Sequence, residues 1–272
     1  MPNASSLIPD KNISMLLKGP FGFSKTCAAC SVAIEGPIYL AYWDKKSPVE
    51  LEYFFKKVIR RPELLDNIEY DVYGSHNANQ YLNKLIELSK DCRYVAVIND
   101  SVTMMTASAV NWSIGFRNPA GAKKDKLNPQ ATLMIPDFDE YKVETSLVTQ
   151  ALDICRTLPC HIIWTCHPLP SLKMEGSGNS MVVAKVNNIV SYGQKVGAII
   201  PGQFTEIYHF TKTNEWDSKN AKSVERRTVS TIGIGDDFAK TSLGLSSSFD
   251  ITNRLFWEVW REEVKKAGES MT

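Results

Sequence analysis

One segment of the sequence has the residue types and spacing of a phosphate-binding loop. Residues 19–26 read GPFGFSKT and match G-x-x-x-x-G-K-[S/T], except that Ser24 stands where glycine is usual. In such a loop backbone N–H groups surround the phosphates, Lys25 would neutralise the β- and γ-phosphates, and Thr26 would offer its hydroxyl to Mg²⁺. A plain glycine turn before a helix is the alternative. The predicted nucleotide-binding residues of this segment are Gly19, Pro20, Phe21, Gly22, Phe23, Ser24, Lys25, Thr26 and Cys27.

Three more residues end apolar, strand-like segments and could complete the site. Asp100 closes YVAVIND, where a carboxylate would hold Mg²⁺ through water. Asp44 closes PIYLAYWD and could activate the attacking water. His167 closes HIIWTCH and could sense the γ-phosphate and relay its loss to the next loop. The alternatives are a capping aspartate, a solvated loop charge and a strand-end histidine. The predicted catalytic residues are Lys25, Asp44, Asp100 and His167; the predicted metal ligands are Thr26 and Asp100.

The elements that must position these residues alternate between strand-like and helix-like patterns. This order predicts an α/β fold with a mainly parallel central sheet flanked by helices, in a single domain. The predicted strands are 14–18, 37–43, 94–99, 161–165, 198–201 with 205–210, and 224–232. The predicted helices are 27–34, 50–60, 79–90, 144–157 and 253–266.

Two stretches, 113–136 and 168–181, lack a clear period and are predicted to be irregular loops. Each follows a core element, which is where α/β proteins place ligand sites. Their basic side chains would attract nucleic-acid phosphates, although a solvated charged loop is the alternative. The predicted nucleic-acid contacts are Arg117, Lys123, Lys124, Lys126 and Lys173.

The composition excludes several classes of protein. The chain has 272 residues, of which 43% are hydrophobic and 22% charged, as in ordinary globular proteins. With 31 basic and 30 acidic residues the net charge is +1, so nucleic-acid binding would need local patches. No apolar run is long enough for a membrane span, and no secretory signal is visible, which predicts a cytoplasmic protein. The spacing Cys27-x-x-Cys30 has no second pair, so packing is favoured over zinc binding.

The order of these motifs resembles that of RecA-like P-loop ATPases, and most closely that of short phage-encoded members that serve in recombination or single-strand annealing. The matching pieces are GPFGFSKT, IYLAYWD, YVAVINDS, HIIWTCH, PGQFTEIYHF and RRTVSTIGIGDDFAKTSLGL, over about residues 13–250. The resemblance implies Mg²⁺ and ATP as ligands, an acidic catalytic residue at Asp44, single-stranded DNA as partner, and a ring or filament of identical subunits. It also implies that Lys240, alternatively a surface lysine, reaches a neighbour's nucleotide site.

Three functions remain open from the sequence. The first is an ATPase coupled to single-stranded DNA binding in recombination or replication. The second is a DNA-packaging or helicase motor that has the same core and a different partner. The third is a nucleotide-gated structural subunit without catalysis, since Ser24 and Asp44 depart from the usual residues.

Overall fold

The structure is a computed structural model, and it describes residues 12–22, 24–43, 47–115, 136, 138–175, 182–189, 194–217, 222–233 and 239–270. Its strands are β1 Ser14–Lys18, β2 Ile38–Tyr42, β3 Ile68–Val72, β4 Ala96–Asp100, β5 His161–Cys166, β6 Pro168–Glu175, β7 Val182–Ile189, β8 Glu206–Asp217, β9 Lys222–Ser230 and β10 Ser248–Asp250. Its α-helices are α1 Lys25–Cys30, α2 Val49–Tyr53, α3 Ala78–Lys90, α4 Val102–Gly115, α5 Phe138–Cys155, α6 Gln194–Ile199 and α7 Phe256–Ser270.

Eight of these strands form one sheet in the order β10-β9-β8-β1-β5-β4-β2-β3. The six strands from β8 to β3 are parallel to one another, whereas the β8–β9 and β9–β10 pairs are antiparallel. Every residue of β2 and of β4 is buried, as expected for parallel strands that are covered on both faces. The predicted α/β class with a mainly parallel sheet flanked by helices is confirmed.

The two faces of the sheet bury different cores because successive side chains of a strand point to opposite faces. On one face Met15 and Leu17 of β1 belong to a cluster with α1 and with Trp257 of α7. On the other face Leu16 belongs to a cluster with α3, α4 and α5, which also contains Trp164 of β5. Strand β1 is therefore fixed from both sides directly before the residues 19–26.

The strand order brings the predicted site residues to one edge of the sheet. Strand β5 lies between β1 and β4, with Lys18 opposite Cys166 and Ile98 opposite Ile163. Because the three strands are parallel, their carboxyl ends share one edge, where α/β folds place ligands. Asp100 at the end of β4 and His167 after β5 therefore lie at the same edge as residues 19–26, which follow β1.

Several element predictions were wrong. Residues 198–201 are not a strand: α6 ends at Ile199 and a 3₁₀ turn covers Ile200–Gln203. Residues 168–175 are not irregular but form β6, which pairs with β7 in a separate two-stranded antiparallel sheet. The predicted helix 50–60 is an α-helix only to Tyr53, and Phe54–Val58 form a π-helical turn. The edge strand β3 was missed.

The predicted loop 113–136 overlaps the end of α4, which runs to Gly115, and its residues 116–135 lie outside the described residues. Within the described part of the chain, no helix has the length and apolar character needed to span a membrane.

Candidate active site

The segment 19–26 leaves β1 in a tight path that two glycines permit. A Cβ on Gly19 would lie 2.8 Å from the carbonyl oxygen of Phe210, closer than such atoms approach, so only glycine fits against β8. Gly22 has φ +76°, in the left-handed region that favours glycine. The segment is therefore shaped by a close approach at its start and by a left-handed turn in its middle.

Lys25 begins α1, and its ammonium group is held inside the turn of the loop. Nζ donates to the carbonyl oxygens of Gly19 at 2.7 Å and Pro20 at 2.8 Å, and lies 3.2 Å from Nδ1 of His167. Burial lowers the pKa of Lys25 to about 8, while the charge of Asp100 opposes this shift. An anionic phosphate in the cleft would offer the ammonium a stronger acceptor than these neutral oxygens.

Asp100 is buried and accepts hydrogen bonds from two hydroxyl groups. Thr26 Oγ1 donates to Oδ2 at 2.7 Å, and Thr165 Oγ1 donates to Oδ1 through a short contact. Burial raises the pKa of Asp100 above its usual value, although both hydroxyl groups and Lys25 favour the ionised form. A threonine hydroxyl beside a carboxylate is the oxygen donor set that Mg²⁺ prefers, so these residues fit the predicted metal.

His167 lies between the lysine and an aromatic ring. Its ring stacks on Phe21 with a centroid distance of 3.7 Å and an interplanar angle of 19°. Burial, and then the positive charge of Lys25, lower the pKa of His167 to about 4, so the ring is neutral at pH 7. Because the ammonium of Lys25 can only donate, Nδ1 accepts this bond and the ring proton is on Nε2.

These side chains line a cleft of about 380 Å³. The lining residues that were not predicted from the sequence include Glu50, in the first turn of α2, and Tyr42, at the end of β2. The Tyr42 hydroxyl donates to Glu50 Oε1 at 3.0 Å, which orients the carboxylate. The signal that could have found Glu50 is its position just after β2, at the same sheet edge as Asp100. The full lining is Phe21, Gly22, Ser24, Lys25, Thr26, Cys27, Tyr42, Glu50, Asp100, Ser101, Met104 and His167.

Arg227 is a further residue that the sequence did not predict to be near the cleft. This residue of β9 donates from its guanidinium to Ser24 Oγ at 2.6 Å, although 203 positions separate the two in the sequence. The segment 19–26 is therefore tied to the antiparallel part of the sheet.

One predicted site residue that the structure describes, Lys240, lies away from the cleft. Lys240 is exposed and pairs through its backbone with Ile207 of β8, and it does not line the cleft. Outside the described residues lie Phe23, Asp44, Arg117, Lys123, Lys124 and Lys126, together with the side chain of Lys173.

The cysteines near the site are buried thiols. Burial raises the pKa of Cys27 to about 12 and that of Cys30 well above its usual value. In the part of the chain that the structure describes, no group of three or more His, Cys, Asp or Glu side chains could hold a metal ion. Cys27 and Cys30 instead contribute to the core between α1 and the sheet.

Comparison with known proteins finds similar folds at low sequence identity. No protein-family model matches the chain, and no curated protein matches its sequence. The structure is similar to the KaiC-like protein PH0186 from Pyrococcus horikoshii OT3, with 12% identity, coverage of 88% of this chain and 84% of that chain, and a TM-score of 0.45. It is also similar to the RadB recombinase, with 15% identity, coverage of 89% of both chains, and a TM-score of 0.46. At these identities and TM-scores the similarity does not indicate an activity for this chain.

Proposed function

We propose that this chain binds Mg·ATP in the cleft between residues 19–26 and Asp100 and hydrolyses it. One observation carries the proposal. Lys25, Thr26 and Asp100 converge at the carboxyl edge of a parallel sheet, with the Thr26 hydroxyl 2.7 Å from the Asp100 carboxylate. That arrangement unites a cation for phosphate oxygens with an oxygen donor pair for Mg²⁺.

Each residue of the cleft has a separate task in this proposal. Lys25 would turn its ammonium from the loop carbonyls to the β- and γ-phosphates and balance their charge. Thr26 and Asp100 would hold Mg²⁺, which supplies further neutralisation of charge on the phosphates. His167, neutral and in contact with Lys25, would exchange its hydrogen bond when the terminal phosphate leaves. Its backbone joins directly to β6, so that exchange would reach the β6–β7 hairpin.

Hydrolysis also needs a group that accepts the proton of the attacking water. Two carboxylates are candidates: Asp44, from the sequence, and Glu50, from the cleft. Glu50 is half-buried, is oriented by Tyr42 and lines the cleft. We assign Glu50 the role of general base beside the terminal phosphate. A comparison of kcat in Glu50→Gln and in Asp44→Asn distinguishes the two candidates, because only replacement of the general base should lower kcat strongly.

We further propose that hydrolysis is coupled to single-stranded DNA, as in a phage-type RecA-core recombination ATPase that acts in the cytoplasm as a ring or filament. The support is the motif order together with the basic residues of 113–136 and 168–181. In such an assembly Lys240, which is exposed, is available to a neighbouring subunit's cleft. A cation from a neighbour would stabilise the transferring phosphoryl group.

The test is steady-state ATP hydrolysis at low salt, with and without single-stranded DNA. The wild type is compared with Lys25→Ala and with Lys265→Ala, a control lysine exposed on α7. Stimulation by DNA that only Lys25→Ala abolishes supports the proposal. Hydrolysis without any response to DNA favours a motor with another partner. Binding of ATP without hydrolysis identifies a nucleotide-gated structural subunit, and no binding at all refutes the proposal.

A further inference from the structure

We propose that Arg227 is a positioning residue that holds the phosphate-binding segment in its binding shape through the hydroxyl of Ser24. This contact would take the place of the conformational freedom that glycine gives other loops of the same pattern. The inference deepens the proposed nucleotide binding and rests on it where affinity is measured.

The backbone of Ser24 is in a conformation that its side chain disfavours. Its φ and ψ are 60° and 28°, in the left-handed region where a Cβ crowds the following carbonyl. Ser24 is also the residue before the first turn of α1, yet its hydroxyl makes no capping hydrogen bond to that helix. Its carbonyl accepts the N–H of Ala28 at 2.9 Å, so the helix depends on Ser24 keeping this shape.

The hydroxyl of Ser24 instead accepts a hydrogen bond from Arg227 Nη1 at 2.6 Å. This bond is charge-assisted, because a guanidinium is always protonated, and such bonds are stronger than those between neutral groups. The side chain of Arg227 is only 26% exposed, which limits competition from water. The contact therefore favours the one backbone shape that points the hydroxyl at the guanidinium.

Arg227 is itself fixed on the side away from the loop. Its backbone N–H donates to Thr252 Oγ1 at 2.9 Å, and its carbonyl accepts the N–H of Ile251 at 2.9 Å. Its Nε donates to Glu225 Oε1 at 2.7 Å, and Glu225 also pairs with Lys212. A planar guanidinium held at Nε has its Nη1 group in a defined place, so Arg227 is a rigid support for Ser24.

The neighbouring Arg226 supplies a matched control. Successive residues of a strand point to opposite sides, and Arg226 pairs with Glu215 and Asp250 instead of the loop. Replacing Arg226 removes the same charge from the same strand without removing the contact to Ser24.

The experiment measures the dissociation constant of a fluorescent ATP analogue with Mg²⁺, and the KM and kcat for ATP, in Arg227→Ala, Ser24→Ala, Ser24→Gly and Arg226→Ala. Arg227→Ala and Ser24→Ala are each expected to raise the dissociation constant and KM about tenfold and to leave kcat unchanged. A factor of about ten corresponds to the usual free-energy cost of the left-handed conformation for a residue with a Cβ. Arg226→Ala should bind as the wild type does. In the Ser24→Gly background, Arg227→Ala should raise the dissociation constant less than about threefold, because glycine adopts the left-handed conformation without the hydrogen bond.

Two results would overturn the inference. Equal affinity of Arg227→Ala and wild type would show that the contact positions nothing. A tenfold loss that persists in the Ser24→Gly background would show that Arg227 acts on the nucleotide directly.

Hydrogen exchange of the amides of residues 24–28 tests the same inference without any nucleotide. Exchange should be faster in Arg227→Ala than in Arg226→Ala, and Ser24→Gly should remove the difference. If the wild type binds no nucleotide, the proposed function fails, and this exchange measurement alone decides whether Arg227 holds the loop. Equal exchange in the two arginine variants would refute that role.

Discussion

Raising the pH should weaken nucleotide binding, because Lys25 has to carry a proton to attract phosphates. Burial lowers the pKa of Lys25 to about 8. At that pKa about nine-tenths of the side chains are protonated at pH 7 and about one-tenth at pH 9. If only the protonated form is competent, the apparent dissociation constant equals the intrinsic constant divided by that fraction, and it rises about tenfold between pH 7 and pH 9.

The sign follows from which state holds the proton more tightly. Phosphates beside Lys25 favour its charged form, so the bound state keeps a proton that the free state loses above pH 8, and binding takes up a proton. Near pH 8 the uptake should be about half a proton per site. His167 and Cys27, with pKa values of about 4 and about 12, do not change charge in this window. A terminal phosphate loses its last proton at about pH 6, which is below the range from pH 7 to pH 9.

Titration calorimetry of Mg·ATP at pH 7, 8 and 9, in buffers of different ionisation enthalpy, measures both quantities. Lys25→Arg is the control, because a guanidinium stays charged throughout and its weaker binding should not depend on pH. An affinity that is flat or rises from pH 7 to pH 9 in the wild type, or no proton uptake at pH 8, would refute the reasoning.

Three further predictions concern the loop, the metal ligand and the core. Gly19→Ala should destabilise the fold by about 1–3 kcal/mol in urea unfolding, because its Cβ would meet the Phe210 backbone; Gly22→Ala, strained only by its φ, should cost about 1–2 kcal/mol. Asp100→Asn should abolish Mg²⁺-dependent hydrolysis and yet raise the Tm at pH 7 without Mg²⁺. Burial raises the pKa of Asp100 in the folded state, so ionisation of this carboxyl above its unfolded-state pKa destabilises the fold. An asparagine amide does not ionise and avoids this loss of stability. A lower Tm would contradict that sign. Trp257→Ala should lower the free energy of unfolding by about 3–5 kcal/mol. The ring is 1% exposed, stacks on the Trp260 ring and packs α7 on the core that contains Met15, Leu17 and α1. Urea unfolding curves that match the wild type would disprove that packing.

Local patterns were sufficient to predict several of the residues that line the cleft. The spacing of residues 19–26 is a property of one continuous segment, and Asp100 and His167 were predicted because each ends an apolar run that the structure places in the sheet. The parallel arrangement then follows from the alternation of strands and helices, and it puts strand ends at one edge. No long-range information was needed for these residues.

The residues and elements that the sequence did not predict correctly depend on distant partners or have ambiguous patterns. Glu50 belongs to no motif, and its place in the cleft depends on how α2 leaves β2. Arg227 meets Ser24 only because β8 pairs with β1 and β9 pairs with β8. Residues 168–181 lack a clear period and were predicted to be irregular, but residues 168–175 form β6, which among the described strands pairs with β7 alone. The run at 198–201 is apolar and short, so periodicity could not separate strand from helix.

The cleft around Lys25 and Asp100 is proposed to bind Mg·ATP. The most direct test is the titration of Mg·ATP onto the wild type and onto Lys25→Ala at pH 7, with circular dichroism to establish that both are folded. The account predicts saturable binding at one site per chain in the wild type, and a loss of at least about tenfold in the variant. Equal binding by two folded proteins, or no binding by the wild type, would contradict it.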